Sequence, residues 1–174
     1  MALREILTEP NKILRQKSSI VEKVDKDVQK LMDDMLETMY AAPGIGLAAI
    51  QVGVAKRIIV LDIAPKDSPR NPMYFVNPEI VQKSENHSTY EEGCLSVPGQ
   101  FAEIDRPDKC NLRYLDYYWR PKEIQAEGML ATCIQHEIDH LEGILFIDYL
   151  SKLKKTMIIK KLSKQKKAIE RIVV

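Results

Sequence analysis

Residues 136–140 read His-Glu-Ile-Asp-His, and this pentapeptide restricts the fold more than any other part of the chain. Two imidazoles can grip one ion only from a common face. Positions four apart share such a face on an α-helix, with Cβ atoms about 5–6 Å apart. Glu137 stands one step round that helix, where a carboxylate can take a proton from an attacking water and pass it to a leaving group. Ile138 and Leu141 flank the pair, which points to a partly buried helix rather than a solvated one with two incidental histidines. The expected fold therefore carries a metal-binding helix near its centre.

Two histidines do not complete a catalytic site, which usually has three protein ligands and one water. Metalloproteases with this motif take a third His six residues later or a Glu from a later helix. Here position 146 is Phe, Glu142 follows too closely along the helix, and Glu170 falls in a basic tail. Cysteine is the next candidate. Cys94 lies in the extended segment Glu91–Gly99, whose glycines let backbone approach a ligand. Cys133, one helical turn before His136, could also face the site, although its apolar neighbours suit packing. Cys110 sits in a strand pattern and reads as core, and His87 lies in a polar surface stretch. Three cysteines at irregular spacing make a poor disulfide framework.

The 174 residues fit one domain spanning 1–174. Val28, Leu31, Met32, Met35, Leu36 and Met39 fall at helical spacing between Asp25 and Ala42, and Pro43-Gly44 ends that helix. Arg57 to Asp62 reads as a buried strand. Tyr74 to Lys83 reads as a strand pair or a bent strand broken at Asn77-Pro78. Cys110 to Asp116 and Glu123 to Glu127 read as strands joined near Arg120-Pro121. The motif helix should run from about Gly128 to Leu141 and stop near Gly143, and a C-terminal helix should start near Ser151 and reach about residue 170. No β-α-β rhythm is present. The expected class is α+β, with mostly antiparallel sheets around the metal-binding helix, an N-terminal helix and a basic C-terminal helix.

A third segment, Gly44-Ile45-Gly46-Leu47-Ala48-Ala49-Ile50-Gln51, reads by itself either as a tight turn into a strand or as backbone that approaches an extended substrate, with Gln51 donating to an oxyanion. Taken with Glu92-Gly93-Cys94-Leu95-Ser96 and the His136–His140 motif, in that order, it resembles the bacterial peptide deformylases, over most of the chain. The resemblance implies Cys94, His136 and His140 as metal ligands and Glu137 as the catalytic acid–base. It implies Gln51 and the backbone N–H of Leu95 as oxyanion donors, Gly46 as a backbone contact to the substrate, and Glu92 as a support for the site. Ile45, Tyr90, Glu92, Met129, Thr132, Cys133 and His136 would line the pocket for a methionine side chain. Tyr90 and Thr132 stand where aliphatic residues are common in the family, and Phe101 stands where some members have an arginine. The implied reaction removes the N-formyl group from the initiator methionine of new proteins, giving formate. The implied cofactor is one Fe(II), replaceable by Zn(II), Ni(II) or Co(II), although the ligand types alone point to zinc.

The alternative within the same class is a zinc endopeptidase or aminopeptidase, which lacks its third His or Glu here. A structural zinc module would need a fourth protein ligand, and only Cys133 could add one. Residues 151–174 carry a net charge of +8 and the remaining 150 residues −7. A basic tail on an acidic body reads either as a solvated helix face or as a contact for a polyanion, and some relatives dock on the ribosome through such a helix. The expected partners are N-formylmethionyl nascent peptides and, through the tail, the ribosome, with no membrane and no sequence-specific nucleic acid. The N-terminus shows no signal-peptide pattern and no run approaches a membrane span, so the expected compartment is the cytoplasm.

Overall fold

The run Ile58-Ile59-Val60-Leu61 is buried at every position, which a strand achieves only when both faces of its sheet are covered. In the computed structural model, which describes residues 2–173, it is β2 (Ile58–Leu61), the second strand of a five-stranded antiparallel sheet. Its neighbours are β1 (Gly46–Ala48) and β3 (Met73–Lys83), followed outward by β6 (Lys109–Leu115) and β7 (Pro121–Glu127). Ile58 and Val60 face one apolar cluster, built with Leu31, Met32, Met35 and Met39 of α1 (Lys26–Ala41). Ile59 and Leu61 face a second, built with Ala131, Ile134 and Leu141 of α2 (Gly128–Leu141). The period-2 alternation of a strand thus joins two helical layers across one sheet.

Local signals account for the helix limits. Asp25 accepts from the backbone N–H of Val28 at 2.9 Å and caps α1, and Gly44 N–H returns to Met39 C=O at its other end. After α2, Gly143 adopts φ +76°, and a Cβ there would collide with the carbonyl of Arg15. The helix can end against the N-terminal segment only with glycine in that place.

The segment 87–107, which has no strand periodicity obvious enough to announce itself, forms a separate antiparallel hairpin of β4 (His87–Cys94) and β5 (Val97–Pro107). Val97 and Ile104 from it pack with Leu145, Phe146, Ile147 and Leu162 in a third cluster. Residues 73–83 form one continuous strand rather than two. It bends through register shifts beside Asn77, whose φ is +51°. Asn77 holds Val21 by both backbone groups at 2.8 Å, so the side chain offsets the cost of the left-handed backbone.

The C-terminal helix α3 (Lys152–Val173) starts where expected, with Ser151 Oγ accepting from Lys154 N–H. By helical spacing Leu153, Met157, Ile158 and Leu162 form its apolar side, and the structure packs only the second pair. Leu153 and Met157 are 70% and 61% exposed, and the buried contact is made by Leu162 with Ile158 and Ile159 beside it. Lys155 is paired with Asp148 at 2.8 Å rather than free. From this helix the stripe 158/159/162 joins the hairpin cluster.

The N-terminal strap ties these layers to the chemistry. Ala2 N–H and Arg4 both bond Asp34 on α1, Leu7 N–H bonds the carbonyl of Gln51, and Glu9 N–H bonds that of Ser96. Asp34 is 1% exposed. Burial raises its pKa, but bonds from Lys30, Ala2 and Arg4 outweigh that and bring the carboxyl from 3.8 down to about 2. A depressed folded pKa means stability that is complete above about 3.8 and disappears as pH falls through about 2. Asp34→Asn is therefore expected to destabilise the protein at pH 6 and to reduce the extra loss between pH 4 and pH 2. Urea unfolding at the three pH values checks this, and parallel curves for variant and wild type would contradict it.

Candidate active site

α2 enters the molecule with Glu137 and His140 almost fully buried, at 5% and 1% exposure. The helix touches β5 of the hairpin, and His136 and His140 share one helix face that meets Cys94, as spacing four requires. Cys94 ends β4, and its Sγ lies 3.3 Å from His140 Nε2. Ligand atoms of Cys94, His136 and His140 lie within 4.8 Å of one another, and Cys133 is outside that cluster. Burial raises the Cys133 thiol to about 12, with Glu137 and Glu92 adding to the effect, so it stays protonated and is a poor ligand. Phe146, at the position where a third His would stand, is buried and stacks on His136 with centroids 6.2 Å apart.

The donor set fits a divalent first-row metal: one soft sulfur and two imidazoles on a half-enclosed point. Burial holds His140 neutral, well below its ordinary pKa, with the positive His136 next in effect. Burial works the same way on His136, but hydrogen bonds to Cys94 and Glu92 overcome it and draw positive charge to that ring. Cys94 and Glu92 thus favour positive charge at His136.

Glu92 holds His136 from behind. Its Oε1 is 2.8 Å from His136 Nδ1, which leaves the other ring nitrogen toward Cys94. Glu92 and Arg106 are 6% and 4% exposed and form a two-pronged pair at 2.7 and 3.0 Å. Burial opposes the charge on Glu92, and the bonds to His136 and Arg106 keep its pKa low nonetheless. Sequence reading missed Arg106. Its signal was the alternation Ala102, Ile104, Arg106, which puts a cation on the inner face of a strand and so demands a buried carboxylate. That signal is readable only once 97–107 is known to be a strand.

The three-residue strand β1 and the turn Ala49–Val52 place Gln51 opposite Cys94. Gln51 is 1% exposed. Its Oε1 accepts from Ala48 N–H at 2.9 Å, and its amide nitrogen donates to Ser96 Oγ at 3.0 Å and faces Cys94 Sγ at 3.6 Å. Ser96 was not singled out from sequence either, and it is fully buried. Gly46 has a steric reason to lack a side chain, since a Cβ would sit 2.7 Å from Glu137 Oε1. The other carboxylate oxygen of Glu137 is buried without a partner. Burial pushes this carboxyl up to about 7, with His136 opposing and Glu92 reinforcing. A proton carrier poised near neutrality suits acid–base work, and a cation on the neighbouring ligands would draw its pKa down.

These groups open on a cavity of about 640 Å³. Ile45, Gly46, Gln51, Tyr90, Glu92, Cys94, Leu95, Met129, Thr132, Cys133, His136 and Glu137 all line it, and His140 lies behind them. Ile45, Met129 and Phe101, also in its lining, are all exposed, Phe101 the most at 65%. A mostly apolar cavity that holds the buried Glu137 carboxylate beside a cluster of metal-ligating side chains is arranged for metal-assisted hydrolysis.

Comparison with known proteins gives one answer. Residues 3–156 match the family model described as polypeptide deformylase. A peptide deformylase of Pelagibacter ubique is 66% identical over 95% of this chain and 96% of its own length. One of Phenylobacterium zucineum is 59% identical over 97% and 99%. Among solved structures, the peptide deformylase from Ehrlichia chaffeensis in complex with actinonin superposes with a TM-score of 0.91 at 47% identity, covering 95% of this chain and 98% of that one.

The two cysteines near the motif should separate cleanly on metal analysis. After dialysis, Cys94→Ser is expected to hold far less than one equivalent of metal, whereas Cys133→Ser keeps a full one. The reverse pattern would transfer the ligand role to Cys133.

Proposed function

The chain belongs to the polypeptide deformylase family, and from that premise we propose how its own residues carry out the reaction. The reaction is hydrolysis of the N-formyl group from the N-terminal formyl-methionine of newly made proteins, with release of formate. The observation that carries the assignment of roles is the meeting of Cys94, His136 and His140 beside a cavity that Glu137 and Gln51 also line.

In this reading Cys94, His136 and His140 hold the metal. When bound, the ion supplies Lewis acidity, polarising the formyl carbonyl and lowering the pKa of the attacking water. Glu137, next to the ligands and with a free carboxylate oxygen, takes the water proton and then delivers it to the departing amine. Gln51 Nε2–H and Leu95 N–H stabilise the tetrahedral oxyanion, the amide of Gln51 being held in place through Ala48 and Ser96. Gly46 contacts the peptide backbone. Ile45, Tyr90, Glu92, Met129, Thr132 and Cys133, with His136, enclose the methionine side chain and exclude water from the formyl end.

We assign Fe(II) as the working ion, with Zn(II), Ni(II) or Co(II) able to replace it. Family resemblance supports iron, whereas the thiolate and imidazole set suits zinc as well. The endopeptidase alternative finds no support in the geometry, because Cys94 occupies the place of the third protease ligand. The ribosome and the cytoplasm complete the proposal. Lys152, Lys154, Lys160, Lys161, Lys164, Lys166, Lys167 and Arg171 are exposed on α3, and an emerging chain brings a large polyanion near them. No described helix is long and apolar enough to cross a membrane.

Formate release from formyl-Met-Ala, beside metal analysis of anaerobically purified protein, tests the reading directly. Glu137→Gln should keep its metal and lose activity by at least ~10²-fold, and a metal-loaded variant with near-normal turnover would remove Glu137 from its role. Truncation after Leu162, the last buried position among the described side chains of α3, should alter formyl-Met-Ala hydrolysis little. It should also weaken co-sedimentation with ribosomes at low salt, a contact expected to fade steeply as salt rises. Equal sedimentation of truncated and full-length protein would reduce the tail to a solvated helix.

A further inference from the structure

The bonds behind His136 do not stop at Arg106. Arg106 also donates through Nη1 to Asp139 Oδ2 at 2.8 Å, and Tyr149 Oη donates to that same oxygen at 2.7 Å. The Tyr149 ring lies against the guanidinium, 4.9 Å from Cζ to ring centroid. Arg106 is 4% exposed and Tyr149 is 52% exposed, so the chain of contacts runs from the dry interior to solvent. Four separate pieces of backbone contribute to it: β4 through Glu92, β5 through Arg106, α2 through His136 and Asp139, and the turn Phe146–Tyr149.

We propose that Tyr149 and Asp139 are positioning residues for His136, acting through Arg106 and Glu92 to keep its ring aimed at the ligand cluster. A ligating imidazole needs its second nitrogen fixed, because that bond selects the tautomer and the ring orientation. Glu92 supplies the bond, and Glu92 is held by two guanidinium N–H groups. The remaining edge of that guanidinium is held by Asp139, and its face by Tyr149. Loosening the outer end lets Arg106 tilt, and Glu92 and His136 follow, since each has one well-formed partner on that side. Tyr149 also directs Asp139, because its hydroxyl occupies the same carboxylate oxygen that Arg106 uses.

The inference rests on the reading of Cys94, His136 and His140 as metal ligands, and its test does not use the deformylation reaction. Full-length wild type, Tyr149→Phe and Asp139→Asn are loaded with Zn(II), and transfer of zinc to a chromophoric chelator is timed. Direct outer partners of ligating histidines usually matter about 10–100-fold for metal affinity. Tyr149→Phe, one link further out, is expected to release zinc about 3–10-fold faster, and Asp139→Asn faster still. The metal-free melting temperature of Tyr149→Phe should stay within about 2 °C of wild type, since the lost bond is at the surface. Wild-type release rates in both variants would overturn the proposal. So would faster release matched by an equal loss of metal-free stability, which marks a purely structural role. Failure of the deformylase reading would look different: wild-type protein that retains zinc slowly yet frees no formate from formyl-Met-Ala.

Discussion

Glu92 sits between an imidazole and a guanidinium with almost no access to water, and the site depends on that arrangement. A buried carboxylate is tolerated only when its charge is met and its lone pairs are filled. Here one oxygen is shared by His136 and Arg106 and the other belongs to Arg106. Removing Arg106 would leave an uncompensated carboxylate in the interior, at a cost of about 3–5 kcal/mol. The hairpin β4–β5 must therefore close in its observed register, because Glu92 comes from one strand and Arg106 from the other.

The five-stranded sheet serves this end indirectly. Its two faces bury α1 and α2 in separate apolar clusters, so α2 is fixed against β1, β2 and β7 before any polar group is considered. With α2 fixed, the cysteine has to be delivered from outside the sheet. The hairpin does so by ending β4 at Cys94, while the strap at residues 7–9 bonds the backbones of Gln51 and Ser96 and holds the two loops in reach of each other. The chemistry thus lies where three independently packed pieces meet, which is why Glu137, His140 and Gln51 can be so deeply buried yet remain next to a cavity.

Some of this was legible in the residues. The α1 stripe, the strand at 58–61, the motif helix and its stop at Gly143 follow from periodicities of 3.6 and 2 and from glycine and proline chemistry, all local effects. The hairpin was not legible. Its inner face mixes Glu92 and Arg106 with Val97 and Ile104 while the other meets solvent, which dilutes the apolar alternation. The apolar side of α3 was legible only in part: Leu153 and Met157 share the helical spacing of Ile158 and Leu162, and the position of the hairpin cluster selects which of them is covered.

The sequence by itself determined that two histidines and a glutamate share a buried helix, that a cysteine and a glutamine stand in glycine-bearing segments elsewhere, and, through their order, which family the chain resembles. These are properties of neighbours along the chain, where spacing converts directly into geometry. Only the tertiary structure decided that Cys94 rather than Cys133 stands with the histidines, that Arg106, Asp139 and Tyr149 stand behind His136, and that Gly46 makes room for Glu137. Those facts relate residues tens of positions apart. Their distances are set by how the hairpin, strap and helices pack, and no local periodicity carries that information.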